Sequence, residues 1–296
     1  MKKITSKQKL AISKELKNKV ILITGGAGSV GFALTKEILS FPVKAVRVLD
    51  MDEHALFMMK RRISDKRLRL LLGNILDKER VEMAMKKADI VLHTAAIKNI
   101  EISEFNPIET IDANINGTVN LIKMVIRSQP KKFINISTDK AANASTLYGA
   151  TKQLCEKVTS WAGNHIEETK FANVRFGNVI ETRGNVFEVW NEEAKNNKPL
   201  SITDPKMRRY FFHVDEAVNF VLRCIPLANK GETFVPEMKS YKITELASKI
   251  SKKHKIIGLR PGEKFDEILM SDEEKKNAKK IGDIWMIYPN NFRLKH

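Results

Sequence analysis

Tyr148 and Lys152 stand four residues apart, a spacing that brings both side chains to one face of a helix. There the lysine ammonium is expected to lower the phenol's pKa from about 10 toward that of a useful proton acceptor. Nine residues before the tyrosine an acid and a base lie side by side, Asp139 and Lys140, behind Ser137 and Thr138. A simple redox enzyme needs the Tyr/Lys pair alone. The second pair points to proton chemistry coupled to hydride transfer. By itself Asp139-Lys140 reads as a surface turn with an incidental ion pair; the adjacent Tyr/Lys motif favours catalysis.

Such groups need a rigid frame. Apolar runs over 20–23, 45–49, 68–72, 90–94, 133–137 and 171–176 read as buried strands. Helical patterns over 29–39, 52–63, 78–87, 107–128 and 148–162 alternate with them. The alternation predicts right-handed crossovers and an α/β fold with a doubly wound parallel sheet of Rossmann type. After Gly177 the pattern is less regular, with shorter helices over 214–224 and 243–251. Three parts are expected: a basic N-terminal extension (1–17), a dinucleotide-binding domain (18–178) and a smaller C-terminal substrate-binding region (179–296) interleaved with it. The extension reads either as a short amphipathic helix on Ile4, Leu10, Ile12 and Leu16 or as a mobile arm.

The strand over 20–23 runs into Thr24-Gly-Gly-Ala-Gly-Ser-Val-Gly31. Gly25, Gly28 and Gly31 suit a tight turn, close approach to a pyrophosphate and close helix–strand packing. Ser29 and Val30 open the following helix, whose free amides and dipole favour an anion. Asp50, 19 residues after Gly31, is placed to accept the adenosine ribose hydroxyls and to repel a 2′-phosphate, which favours NAD. Arg47, Arg61 and Arg62 keep NADP open.

The chain has 296 residues, 43% of them hydrophobic and 29% charged, enough for a substantial core. It contains no apolar run long enough to span a membrane, so no integral membrane segment is expected. The first 19 residues hold seven lysines but lack the apolar stretch of a signal peptide. Two cysteines, Cys155 and Cys224, make neither a metal-ligand spacing nor a disulfide framework, which fits a reducing cytoplasm. The net charge of +17 suits an anionic substrate and contact with acidic lipids. Its lysines are dispersed rather than gathered in one aromatic-interleaved stripe, so no nucleic-acid partner is expected.

From residue 18 to 290 the chain resembles the extended short-chain dehydrogenases/reductases, and among them the polysaccharide-biosynthesis nucleotide-sugar 4,6-dehydratases. The resemblance rests on eight blocks in order: Thr24–Gly31, His93-Thr-Ala-Ala-Ile-Lys98, Glu104-Phe-Asn-Pro-Ile-Glu109, Ile136-Ser-Thr-Asp-Lys-Ala-Ala-Asn143, Leu147-Tyr-Gly-Ala-Thr-Lys152, Val174-Arg-Phe-Gly-Asn-Val179, Ile202-Thr-Asp-Pro205 and Gly258-Leu-Arg-Pro-Gly-Glu-Lys264. Tyr148, with Phe234-Val-Pro236, looks most like the inverting UDP-N-acetylglucosamine 4,6-dehydratases, which also epimerise C5. Three departures from the usual pattern are Asn99-Ile100-Glu101 after Lys98, Gly73-Asn74, and Gly184-Asn185-Val186.

The resemblance implies that Tyr148, helped by Lys152, removes the C4 hydroxyl proton, with Thr138 hydrogen-bonded to that oxygen. It implies Lys140 as the base at C5 and Asp139 as the acid at the C6 hydroxyl. For the cofactor it adds Asn74, Ile75, Ala95, Ala96, Lys98 and Asn114, the last orienting Lys152 through backbone and water contacts. For the UDP-sugar it implies Lys98, Asn178, Arg209, Arg260 and Glu263. His93, His213 and Cys155 are expected to be packing residues, and no metal site is expected. Pairing through the helices over 107–128 and 148–162 predicts a homodimer or higher oligomer. Two other readings share these residues. A UDP-sugar 4-epimerase uses Tyr148, Lys152 and NAD but has no use for Asp139-Lys140, and a non-catalytic NAD-binding sensor uses none of them for turnover.

Overall fold

The computed structural model describes residues 4–260 and 262–289; Pro261 of the Gly258–Lys264 block and the ends of the two outer regions lie outside them. Seven parallel strands form the frame: β1 (Val20–Thr24), β2 (Ala45–Asp50), β3 (Leu68–Leu72), β4 (Ile90–His93), β5 (Lys132–Thr138), β6 (Lys170–Phe176) and, after three short strands, β10 (Lys230–Pro236). The short strands are β7 (Asn178–Val179), β8 (Leu200–Ile202) and β9 (Arg208–Phe212). Four more follow, β11 (Ser240–Lys242), β12 (His254–Ile256), β13 (Ala278–Ile281) and β14 (Ile284–Ile287). The main sheet is ordered β13-β14-β10-β6-β5-β4-β1-β2-β3, with β13 and β14 added as an antiparallel hairpin. It takes strands from both sides of residue 178.

Every residue of β1, β4 and β5 is buried, as expected of strands covered on both faces. One face packs against helices Ser29–Leu39 and Val214–Cys224 through Leu34, Ile38, Val218 and Val221. The other packs against helices Lys78–Met85 and Gly117–Ser128 through Val81, Leu121 and Val125. The N-terminal extension is a helix, Ser6–Leu16, closed by a capping box between Thr5 and Gln8. Ile12 and Leu16 are buried, but Leu10, expected on the apolar face, is 73% exposed.

The helix expected over 107–128 is interrupted. Helix Pro107–Ile111 passes into a π turn, Asp112–Asn116, before Gly117–Ser128 resumes α geometry. A short helix, Ile100–Phe105, precedes it, capped by the Asn99 side chain. Because the parallel strands share one direction, Thr24, His93, Thr138 and Phe176 end at the same edge, and there the candidate residues gather.

Candidate functional site

The turn between β1 and helix Ser29–Leu39 is built for close approach. Gly25 has φ +67°, and a side chain on it would lie 2.5 Å from the Ala95 backbone beyond β4. Gly28 caps the helix without any side-chain bond, so the first helical amides point outward as a ready anion site. Asp50, at the end of β2, accepts from the Ala27 amide (2.9 Å) and the Asp52 amide (3.1 Å), which fixes the turn against the neighbouring strand. Arg47 turns away from this region and donates to the carbonyls of Ala84 and Lys86. The possible role of Arg47 in holding a 2′-phosphate is therefore withdrawn: strand alternation sends its side chain to a helix C-terminus, where carbonyls await a cation. Asn74 uses Oδ1 on the Leu76 amide (2.9 Å) in a local turn, rather than presenting it freely as expected. Ile75 is buried, Ala95 partly buried and Ala96 exposed; Val30 packs on the core.

Beyond β5 the chain turns through Asp139–Ala141. Asp139 is 1% exposed; its Oδ1 accepts from the Thr138 hydroxyl and the Lys140 ammonium, each at 3.0 Å. Its other oxygen, Oδ2, is buried without a hydrogen-bond partner. Lys140 also reaches Asn178 Oδ1 at 3.3 Å, and Glu267 Oε1 lies 3.9 Å away. Asn178, expected at the nucleotide, thus stands at Lys140. Glu267 was not foreseen.

Helix Leu147–His165 begins at the Thr146 cap and carries Tyr148 and Lys152 on one face. Gly149 lets its first turn touch the acid–base turn, since a Cβ there would lie 2.7 Å from the Lys140 carbonyl. Burial pushes the Tyr148 phenol above its usual range; the Thr138 hydrogen bond opposes this, and Asp139 and Cys155 add to it. The expected lowering by Lys152 does not arise in this state, because desolvation dominates. Lys152, 3% exposed, is itself lowered by burial, with Cys155 and Glu156 pulling the other way.

Asn114, inward on the π turn, is tied to the loop after β4. Its side chain accepts from the Ile97 amide (2.8 Å) and donates to the Ile97 carbonyl (3.0 Å) and the Thr151 hydroxyl (2.9 Å). The structure links it to Thr151, the residue before Lys152, rather than to the ammonium itself. His93 lies between the hydroxyls of Thr24 (2.8 Å) and Thr118 (3.0 Å), and burial, then the charge of Lys152, push it down to about 3. His213 caps helix Val214–Cys224, and Cys155 Sγ donates to the Asn114 carbonyl.

The outer ring departs more from expectation. Arg209, expected to grip a diphosphate, instead donates to the carbonyls of Arg208, Lys264 and Phe265 and pairs with Glu263 at 3.3 Å. Its fork is filled by the 263–265 loop because β9 runs directly beneath that loop. Arg260 meets Glu101 at 2.8 Å, and Glu263 accepts the Arg260 amide. Lys98 holds the Arg183 carbonyl at 2.9 Å, while the Arg183 amide donates to Ser29 Oγ at 3.0 Å. Residues 180–185 therefore strap the phosphate turn to the loop after β4. No group of side chains suited to hold a metal ion occurs among the described residues. Nor does any helix among them have the length and apolarity to cross a membrane.

This geometry, with a phosphate turn after β1, a Tyr/Lys helix and an acid–base turn at one sheet edge, defines an extended short-chain dehydrogenase/reductase. Residues 21–289 match the family described as polysaccharide biosynthesis protein, and the chain belongs to that family. Its relatives include an uncharacterized membrane protein of Methanocaldococcus jannaschii, 40% identical over 94% of this chain and 88% of that one. An inverting UDP-N-acetylglucosamine 4,6-dehydratase of Campylobacter jejuni is 38% identical over 92% of this chain and 83% of that one. A UDP-glucose 4-epimerase of Rickettsia canadensis is 32% identical over 91% and 83%. Among solved structures, Pen from Bacillus thuringiensis superposes with a TM-score of 0.88 at 33% identity, covering 93% of this chain and 89% of that one.

Proposed function

We propose that the protein is an NAD-dependent nucleotide-sugar 4,6-dehydratase that converts UDP-N-acetylglucosamine to its 4-keto-6-deoxy product with inversion at C5. The observation that carries this reading is the contact of buried Asp139 with half-buried Lys140 at 3.0 Å beside Tyr148, with Asp139 Oδ2 left unpartnered. The uncapped first helical amides from Ser29 onward, and the close approach at Gly25, suit a dinucleotide pyrophosphate. The Asp50 carboxylate beside them, with Arg47 turned away, favours NAD over NADP.

NAD held at the Gly25–Ser29 turn and Asp50 would supply the hydride acceptor for C4 and the hydride donor for C6. Tyr148 accepts the C4 hydroxyl proton, and the Thr138 hydroxyl steadies that oxygen. The C4 carbonyl acidifies the C5 proton, which passes to neutral Lys140. Asp139 protonates the departing C6 hydroxyl. One proton moved along the Lys140–Asp139 hydrogen bond turns an ion pair into a neutral base and a neutral acid together. Return of a proton to C5 from the other face gives the inverted sugar. Asn178 and Glu267 hold Lys140 between them.

Incubation with UDP-N-acetylglucosamine in D₂O, followed by NMR of the product, tests the reading. The expected product is a 4-keto-6-deoxy sugar carrying deuterium at C5. A C4 epimer with no deuterium at C5 would establish the 4-epimerase instead, and NAD binding without turnover would establish a sensor. Pairing of two copies belongs to the same reading, since Ile126, Leu154 and Trp161 stay exposed on the paired helices. Analytical ultracentrifugation should return at least a dimer.

A further inference from the structure

The lysines that look dispersed along the chain converge in space. Seven parallel strands start at one edge of the sheet, opposite the edge that holds the candidate site. Six of them are preceded or begun by an exposed lysine: Lys44 at β2, Lys66 at β3, Lys87 at β4, Lys131 at β5, Lys170 at β6 and Lys230 at β10. Most of the carboxylates at this edge are engaged: Asp89 with Lys19 (3.1 Å), Asp65 with Arg67 (2.7 Å) and Glu15 with Lys132 (2.9 Å). Glu167 and Glu168 remain exposed ahead of β6 and do not balance the excess.

Helix Ser6–Leu16 leads into the same edge, joined to it by the Glu15–Lys132 pair. Its buried side carries Ile12 and Leu16. On the other side Lys7, Leu10, Lys14 and the capping Lys17 recur at three- and four-residue intervals, all exposed. Leu10 is thus an apolar residue set among cations. A sheet edge seven strands wide spans roughly 29 Å, with strands about 4.8 Å apart, which makes a broad cationic face rather than a groove.

We propose that this edge docks on the anionic headgroups of a phospholipid surface, with Leu10 at the acyl boundary and the candidate site facing away. Single lysines near such a surface add attraction one by one, and an exposed leucine between them gains by interfacial insertion. Nucleic acid is the weaker fit: Trp161 is the aromatic beside Lys170 and Lys230, but the lysines spread over a face too broad to track one groove.

The test is sedimentation of the full chain with phosphatidylcholine vesicles, with and without phosphatidylglycerol, at about 0.1 M salt. Binding is expected to the mixed vesicles alone and is released as salt rises. The triple reversal Lys44→Glu, Lys66→Glu, Lys131→Glu should lower the partition coefficient by about tenfold or more. A matched reversal elsewhere, Lys195→Glu, Lys198→Glu, Lys252→Glu, should retain most of the binding. Leu10→Ser, which leaves charge untouched, should lose severalfold. Absence of binding to mixed vesicles overturns the proposal, as does equal loss in the two triple variants. Unchanged binding of Leu10→Ser, or duplex DNA bound through the three reversed lysines in place of vesicles, also overturns it. Thermal melts of each variant separate lost binding from lost folding.

Discussion

Lys140 and Lys152 stand twelve residues apart at the same sheet edge, and their surroundings differ. Lys140 touches Asp139 and Asn178 and has Glu267 at 3.9 Å. Lys152 is more deeply buried, and among the described residues no carboxylate stands within ion-pair distance of it. The turn thus holds a lysine that can exchange a proton with a neighbour, whereas the helix holds one by burial alone. The difference separates two tasks. Under the proposed mechanism a proton carrier needs a partner whose charge changes with its own, which Lys140 has and Lys152 lacks.

The largest expected effect comes from removing the partnered lysine. Lys140→Met should lower turnover by about 10³-fold or more, read as 4-keto product by NMR, while NAD affinity measured by calorimetry is unchanged. Equal loss of NAD binding would merge the two regions into one. Gly149→Ala presses a methyl toward the Lys140 carbonyl, 2.7 Å from the built Cβ, and should cost about 1–3 kcal/mol in denaturant unfolding. A neutral result would mean that the turn and helix are not rigidly docked. Glu267→Gln keeps the shape but removes a charge 3.9 Å from Lys140, and should slow turnover about tenfold with little change in KM. An unaltered kcat would return Glu267 to the fold alone.

The smallest effect probes the helix side through pH. His93 sits at about 3 in the folded protein, against about 6.5 unfolded, so below the latter value the unfolded chain takes up the proton first. Stability is then lost as pH falls from 6.5 toward 3, by about 1.4 kcal/mol per unit from this group. His93→Gln should flatten the pH dependence of unfolding by that amount between pH 6 and 5. Parallel curves for the two proteins would show that His93 is solvated or charged in the fold.

Much of the frame was legible in the sequence because buried strands and helices leave strong periodic signals. The phosphate turn, β5 and the Tyr/Lys helix fall where apolar runs and glycines put them. Glu267 left no such signal: it stands 127 residues after Lys140 on an irregular segment, and only the folded chain brings them together. The carbonyl partners of Arg209 were not legible either, because an arginine's spacing does not reveal which carbonyls lie beneath it. The cationic edge was hidden for a related reason, since strand starts are separated in sequence by the crossovers that reunite them in space.

The π turn at Asp112–Asn116 makes chain length itself a determinant of the site. A π turn holds one residue more than the α-helical ladder needs. Deleting Ile115 would let the helix close into regular α geometry, the flanking turns keeping their faces while the residues of the turn itself shift. Asn114 would swing off Ile97 and Thr151, freeing the loop after β4 although no side chain of the site had been substituted. Here a gap of one residue in an alignment is a chemical change.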